Sequence, residues 1–206
     1  MLDKFIYVHI LKTAGTTIRY MIFEKFYRNR YLYDSTFKLK QNPEVKNAEH
    51  VLIIENQKYP DNYKKYNIFF GHFKHEKYEY LNLPMFSFIR HPVDRIVNQY
   101  YYHKGLYEKM GKYFSLMEFC EQWPNHMTDV LGDYKKYQFI GVVEKFKKSL
   151  DMFSDYLGVP RQKKIIKKRV SHDKKPITKQ QRKLIEKINS VDMDLYHKIL
   201  KKIKRG

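Results

Sequence analysis

Lys12-Thr13-Ala14-Gly15-Thr16-Thr17 joins a full positive charge, a glycine and a run of hydroxyls in one short segment. An apolar run, Phe5 to Ile10, precedes it and a helical pattern follows. Backbone N–H groups in such a turn can point at an anion, and the helix N-terminus adds favourable partial charge. Gly15 lets the backbone approach closely. The segment therefore reads as a candidate phosphate cradle, the alternative being an ordinary turn in which a threonine caps the helix. It is not a Walker A loop, because Lys12 lies three residues before the only glycine instead of directly after a second one. No strand ends in a Walker-B aspartate, which argues against a nucleoside triphosphatase or a typical kinase.

Two further positions belong to the same chemistry. His72 follows the apolar run Asn67–Phe70 and Gly71. That places it at the end of an expected strand, the edge where parallel sheets bind ligands. An unperturbed imidazole titrates near pH 6.5, which suits proton abstraction near neutrality. His75 is the runner-up base and Glu55 a more distant one. His9 reads as structural, and His91 as facing a bound group beside Arg90. Arg90 follows the run Met85–Ile89 and offers a planar fork that matches a phosphate. Arg95 either supports that loop or pairs with a carboxylate.

The elements that position these groups follow from periodicity. Phe5–Ile10, Val51–Ile54, Asn67–Phe70, Met85–Ile89 and Phe139–Val143 read as five short buried strands. Ile18, Met21, Ile22 and Phe26 fall on one helix face, as do Val93, Ile96, Val97, Tyr100 and Tyr101 behind Pro92. Tyr100, Tyr101 and Tyr102 read as packing residues. Residues 28–50 read as a polar surface excursion, and residues 105–135 as helical. Thr178 and Gln181 have capping-box spacing ahead of Leu184, Ile185 and Ile188. A last helix carries Leu195, Tyr196, Ile199, Leu200 and Ile203. Strands alternating with helices predict an α/β fold with a central parallel sheet covered on both faces.

Composition narrows the class. The 206 residues hold 43% hydrophobic and 17% aromatic side chains, enough for one core and incompatible with a disordered or collagen-like chain. One domain is expected over residues 1–206, with a basic helical segment from about 161 packed on it. The net charge is +19, and residues 161–206 alone hold 17 Lys and Arg against 4 Asp and Glu. Such an end attracts polyanions. The single cysteine, Cys120, excludes an internal disulfide and a cysteine-rich metal site. No apolar run reaches the length of a membrane span. With no leader-like pattern ahead of the first strand, a cytoplasmic location is expected, an anchor outside this sequence being the alternative.

His9-Ile10-Leu11-Lys12-Thr13-Ala14-Gly15-Thr16-Thr17 resembles the 5′-phosphosulfate loop of sulfotransferases that use 3′-phosphoadenylyl sulfate (PAPS), in particular the carbohydrate branch that includes the heparan sulfate 2-O- and 6-O-sulfotransferases. Leu11 stands where that branch has proline. Phe88-Ile89-Arg90-His91-Pro92-Val93-Asp94-Arg95-Ile96-Val97-Asn98-Gln99-Tyr100-Tyr101-Tyr102 resembles the family's 3′-phosphate segment, with Asn98 in place of the usual serine. Gly141–Leu150 and Arg169–Pro176 resemble two looser family stretches, the second a basic loop near the nucleotide.

The resemblance implies a P-loop-NTPase-like sheet of about five strands with flanking helices and a helical C-terminal region. It implies PAPS as donor, 3′,5′-ADP as product, and an O-sulfotransferase acting on a carbohydrate hydroxyl. Lys12, Thr13, Ala14, Gly15, Thr16 and Thr17 would hold the 5′ end, and Arg90 and Asn98 the 3′-phosphate. Lys12 would stabilise the leaving group and His72 would act as base, as a Gly-His segment does in that branch. Lys174 and Lys175 would close over the nucleotide or meet the acceptor. No metal is expected, because a sulfuryl group carries less charge than a phosphoryl group. A glycan partner is expected, and no specific nucleic acid. Two other readings stand beside this one: a non-enzymatic module binding nucleic acid or sulfated glycan, and a small-molecule kinase with a degenerate phosphate loop.

Overall fold

Phe5-Ile6-Tyr7-Val8 is apolar at every position, a pattern that suits a strand covered on both faces. It forms β1 (Phe5–Val8), and all four residues are buried. The structure is a computed structural model and describes residues 1–27, 31–35, 51–52, 66–166 and 175–205. Five more strands follow: β2 (Tyr31–Ser35), β3 (Val51–Leu52), β4 (Ile68–His72), β5 (Met85–Ile89) and β6 (Tyr137–Val142). They form one sheet in the order β3-β2-β4-β1-β5-β6, and every pairing is parallel. All six C-terminal ends therefore open on the same edge.

Helices cover the sheet. β1 leads through a tight turn into α1 (Gly15–Ile18), which runs on through a π-helical segment, Arg19–Phe23, into α2 (Glu24–Phe26). A short α3 (Glu76–Glu79) follows β4, and α4 (Pro92–Lys109) follows β5. Then come α5 (Leu116–Gln122), α6 (His126–Leu131) and α7 (Phe146–Leu157). The C-terminal region is α8 (Lys179–Ile188) and α9 (Ser190–Arg205). Thr178 and Gln181 form the expected capping box on α8.

The core is aromatic. Phe5 and Tyr7 point to the same side of β1 and meet Phe23 at ring separations of 5.9 and 5.4 Å. Phe153 of α7 fills the same layer, 5.3 Å from Phe86 and 5.8 Å from Phe88. Edge-to-face and tilted rings of this kind add to the burial of apolar area. A second cluster joins α4, α5 and α8 around Val93, Ile96, Phe119, Cys120 and Ile185.

One expectation is corrected here. Residues 31–35, read as part of a polar excursion, are the strand β2, which takes the sheet to six strands. Asp34 disguises it. Its carboxylate is fully buried, accepting from Tyr78 Oη at 2.7 Å and pairing with Lys77 Nζ at 2.6 Å. A buried charge with such partners is tolerated inside a sheet, yet in sequence it reads as loop. Glu55 and the Arg169–Lys174 stretch lie outside the described residues.

Candidate active site

The strand order brings the predicted residues together. β1 lies between β4 and β5, so the Lys12–Thr17 turn sits between the strand ends carrying His72 and Arg90. Adjacent strands are about 4.8 Å apart, so the backbones of β4 and β5 flank the turn at about 10 Å from each other.

The turn itself is held in an uncommon backbone form. Lys12 (φ 68°) and Ala14 (φ 65°) both adopt the left-handed region, which costs a non-glycine residue about 1–2 kcal/mol each. Thr13 is buried and donates from Oγ1 to the Ile10 carbonyl at 2.7 Å, which locks the turn. Ala14 in the left-handed form followed by helical Gly15 is the alternation that aims successive N–H groups to one side. Thr16 is half-buried in the first turn of α1, and Thr17 is buried. The Lys12 Nζ lies 4.0 Å above the centroid of the Tyr102 ring of α4. Tyr102, expected as packing, is 54% exposed and serves as a cation–π platform. Tyr100 does pack, donating from its hydroxyl to the Phe114 carbonyl.

His72 closes β4. Its Nδ1 lies 2.7 Å from the His9 carbonyl oxygen. A carbonyl only accepts, so Nδ1 carries the proton and Nε2 keeps its lone pair. Burial pushes the imidazole down to about 4, opposed by the His9 hydrogen bond and by Asp34. It is neutral at neutral pH and in the tautomer a base requires. His9 is buried, its ring stacked on Phe70 at 5.2 Å and set 4.3 Å from the His72 ring. Burial holds His9 well below the usual imidazole range, helped by His72, Arg19 and Lys12. His75 faces elsewhere. Its ring lies against Gly132, where a Cβ would come within 2.0 Å of it, and its Nε2 is 3.7 Å from Glu79.

On the other flank, Arg90 Nε is 4.0 Å from Glu144 Oε1 and has no hydrogen-bond partner. Glu144 also accepts from the His91 N–H at 2.9 Å. The His91 ring turns edge-on to Tyr196 of α9, 5.1 Å between centroids. Asn98 is buried and donates one amide hydrogen to the Asp94 carbonyl at 2.5 Å, leaving the second. Arg95 is fully buried, donates from Nη1 to Gln99 at 2.6 Å, and leaves Nε and Nη2 unpartnered. Burial lowers it to about 10, against the opposing pull of Asp192 and Cys120, so it stays charged at neutral pH. Lys175 is exposed ahead of α8.

One group escapes a reading of the sequence. His126 opens α6, and α6 is fixed beside the segment after His72: Val130 accepts from the His75 N–H at 3.1 Å and Asp129 pairs with Lys74 at 2.6 Å. Burial pushes His126 down to about 4, with Arg95 and His72 adding to the shift. Trp123 stands edge-on to it at 5.5 Å. Nothing in the local pattern of Trp123-Pro124-Asn125-His126 signals this placement. Among the described residues, no group of three or more His, Cys, Asp or Glu side chains is arranged to hold a metal ion.

A search of solved structures finds the mouse sulfotransferase SULT7A1 complexed with PAP, at 14% identity and a TM-score of 0.47, over 91% of this chain and 63% of that one. The chain thus spans less than two thirds of that relative's length. No curated protein matches the chain significantly. The family model described as "Sulfotransferase family" matches residues 2–202. On a match that runs through the turn after β1, the His72 strand end and the Arg90 helix alike, the chain belongs to the sulfotransferase family.

Proposed function

We propose that the chain transfers the sulfuryl group of PAPS to a hydroxyl of a carbohydrate acceptor. The observation that carries this reading is the strand order, which sets a cationic turn between a neutral imidazole and an arginine on one sheet edge. The donor supplies an activated sulfuryl group on a good leaving group, 3′,5′-ADP.

Each residue then has a task. The N–H groups of Ala14 to Thr17 and the Lys12 ammonium hold the 5′ end. Lys12 leaves the Tyr102 ring for the bridging oxygen and neutralises the charge that grows there as the S–O bond breaks. Arg90, whose Nε has no hydrogen-bond partner, and the second amide hydrogen of Asn98 hold the 3′-phosphate. His72 Nε2 accepts the acceptor hydroxyl proton as the new O–S bond forms. Most of the acceleration comes from in-line positioning. The carbohydrate preference rests on the loop's likeness to the carbohydrate branch.

The test combines two measurements. Labelled PAPS incubated with a panel of glycans transfers label to at least one of them. In thermal melts, 3′,5′-ADP raises the Tm well above the shift given by ADP, because only the former engages Arg90 and Asn98. Equal shifts from the two nucleotides would remove the 3′-phosphate assignment. Mg²⁺-dependent turnover of ATP in place of sulfuryl transfer would support a kinase instead.

A further inference from the structure

We infer that the His9 side chain is a positioning residue that couples occupancy of the Lys12–Thr17 turn to the His72 imidazole. It rests on the transferase reading only for its consequence in turnover.

Three contacts define a wedge. A Cβ placed on Gly15 would fall 1.9 Å from His9 Nε2 and 2.2 Å from Cε1, so the ring lies directly against the turn's backbone. On its other side the ring stands 4.3 Å from that of His72, with 31° between the planes. The His9 carbonyl receives the His72 Nδ1 proton at 2.7 Å. The ring also stacks on Phe70 at 5.2 Å and 15°.

Shape, more than hydrogen bonding, holds this ring, since its buried Nδ1 has no partner. Interiors are close-packed, so a displacement on one side of a wedged ring passes to the other. An anion that draws the backbone of Gly15 outward frees the ring, and His72 moves with it. The glycine at position 15 thus has a second use besides backbone access: any side chain there would drive His9 into the base.

The charged groups around the pair are defined. Lys12 and Arg19 bear on His9 from the turn and its helix. Asp34 of β2 bears on His72 from the neighbouring strand, and His72 in turn bears on His126 of α6.

The experiment follows the histidine side chains of the full-length protein by NMR, with and without 3′,5′-ADP. In the wild type, His72 titrates near 4 and its signals shift on nucleotide addition. In His9→Ala the midpoint rises toward 6.5, the nucleotide no longer shifts His72, and kcat falls by about tenfold or more with donor KM changed by less than about threefold. His9→Phe keeps a ring in the wedge and retains both the midpoint and the nucleotide response. The proposal is overturned if His9→Ala behaves as wild type, or if His9→Phe loses the response. Should His9→Ala fail to fold, the wild-type and His9→Phe spectra decide alone. If the wild type binds no 3′,5′-ADP, the transferase reading fails, while the His72 midpoints still decide the wedge.

Discussion

His72 carries the most exposed prediction at the scale of single residues. A base works unprotonated, so activity is lost as pH falls through its pKa. In the free enzyme that value is about 4, which places the acid limb of kcat/KM for the donor well below the 6.5 of a solvated imidazole. A bound phosphosulfate favours the imidazolium, so the limb in kcat lies higher than the limb in kcat/KM. The same shift bears on stability. The unfolded chain binds this proton as pH drops below 6.5 and the folded chain only near 4, so stability falls across that window by about 3 kcal/mol for one such group. Thermal melts at each pH separate the two effects. A donor kcat/KM limb at 6.5 in a folded enzyme would remove His72 as base. Position 72 was legible in sequence because a strand pattern ends there. Its tautomer was not, since the carbonyl that fixes it lies 63 residues away in the chain. Gly15 was legible as a site of close approach, but the ring that approaches it was not.

Local rules served well wherever an element explains itself. Pro92 opens α4, and Thr178 with Gln181 opens α8. They failed where one element is completed by another. The N-terminus of α6 is satisfied by Asp192 of α9, which accepts from Met127 N at 3.0 Å, Thr128 N at 2.8 Å and Thr128 Oγ1 at 2.7 Å. In return Asn125 accepts from Val191 N and Asp192 N at the start of α9. These reciprocal caps join residues more than sixty positions apart, so no window of sequence contains both halves. They also set α6, and with it His126, beside the His72 strand end. Asp192 further opposes the burial of the Arg95 guanidinium. Two substitutions separate the local from the distant device. Thr178→Ala removes one exposed cap and lowers the unfolding free energy by about 1 kcal/mol. Asp192→Ala orphans buried donors and leaves Arg95 less compensated, and costs about 3 kcal/mol or more. Denaturant melts of the two variants measure the difference, and similar midpoints would show that Asp192 is not the anchor of α6.

At the scale of the whole molecule, charge is the dominant property. The net charge is +19, and α8 and α9 present Lys179, Lys183, Lys187, Lys198, Lys201, Lys202, Lys204 and Arg205 to solvent. This field was fully legible from composition, because summed charge needs no geometry. Its relation to the site was not. α9 packs on β6, α4 and α6, so the basic face is carried on the helix that also supplies Tyr196 to His91 and Asp192 to α6. A positive surface raises the encounter rate of anionic ligands and does little for neutral ones. Salt tests this directly, since the Debye length is about 10 Å at 0.1 M and shortens as salt rises. With donor held at saturation, kcat/KM for an anionic glycan falls steeply between about 50 and 200 mM salt, while that for an uncharged glycan changes little. Parallel salt profiles for the two acceptors would mean that the basic face takes no part in acceptor capture. Salt-sensitive glycan binding of equal strength with and without 3′,5′-ADP, in the absence of any label transfer, would instead make the chain a polyanion-binding module.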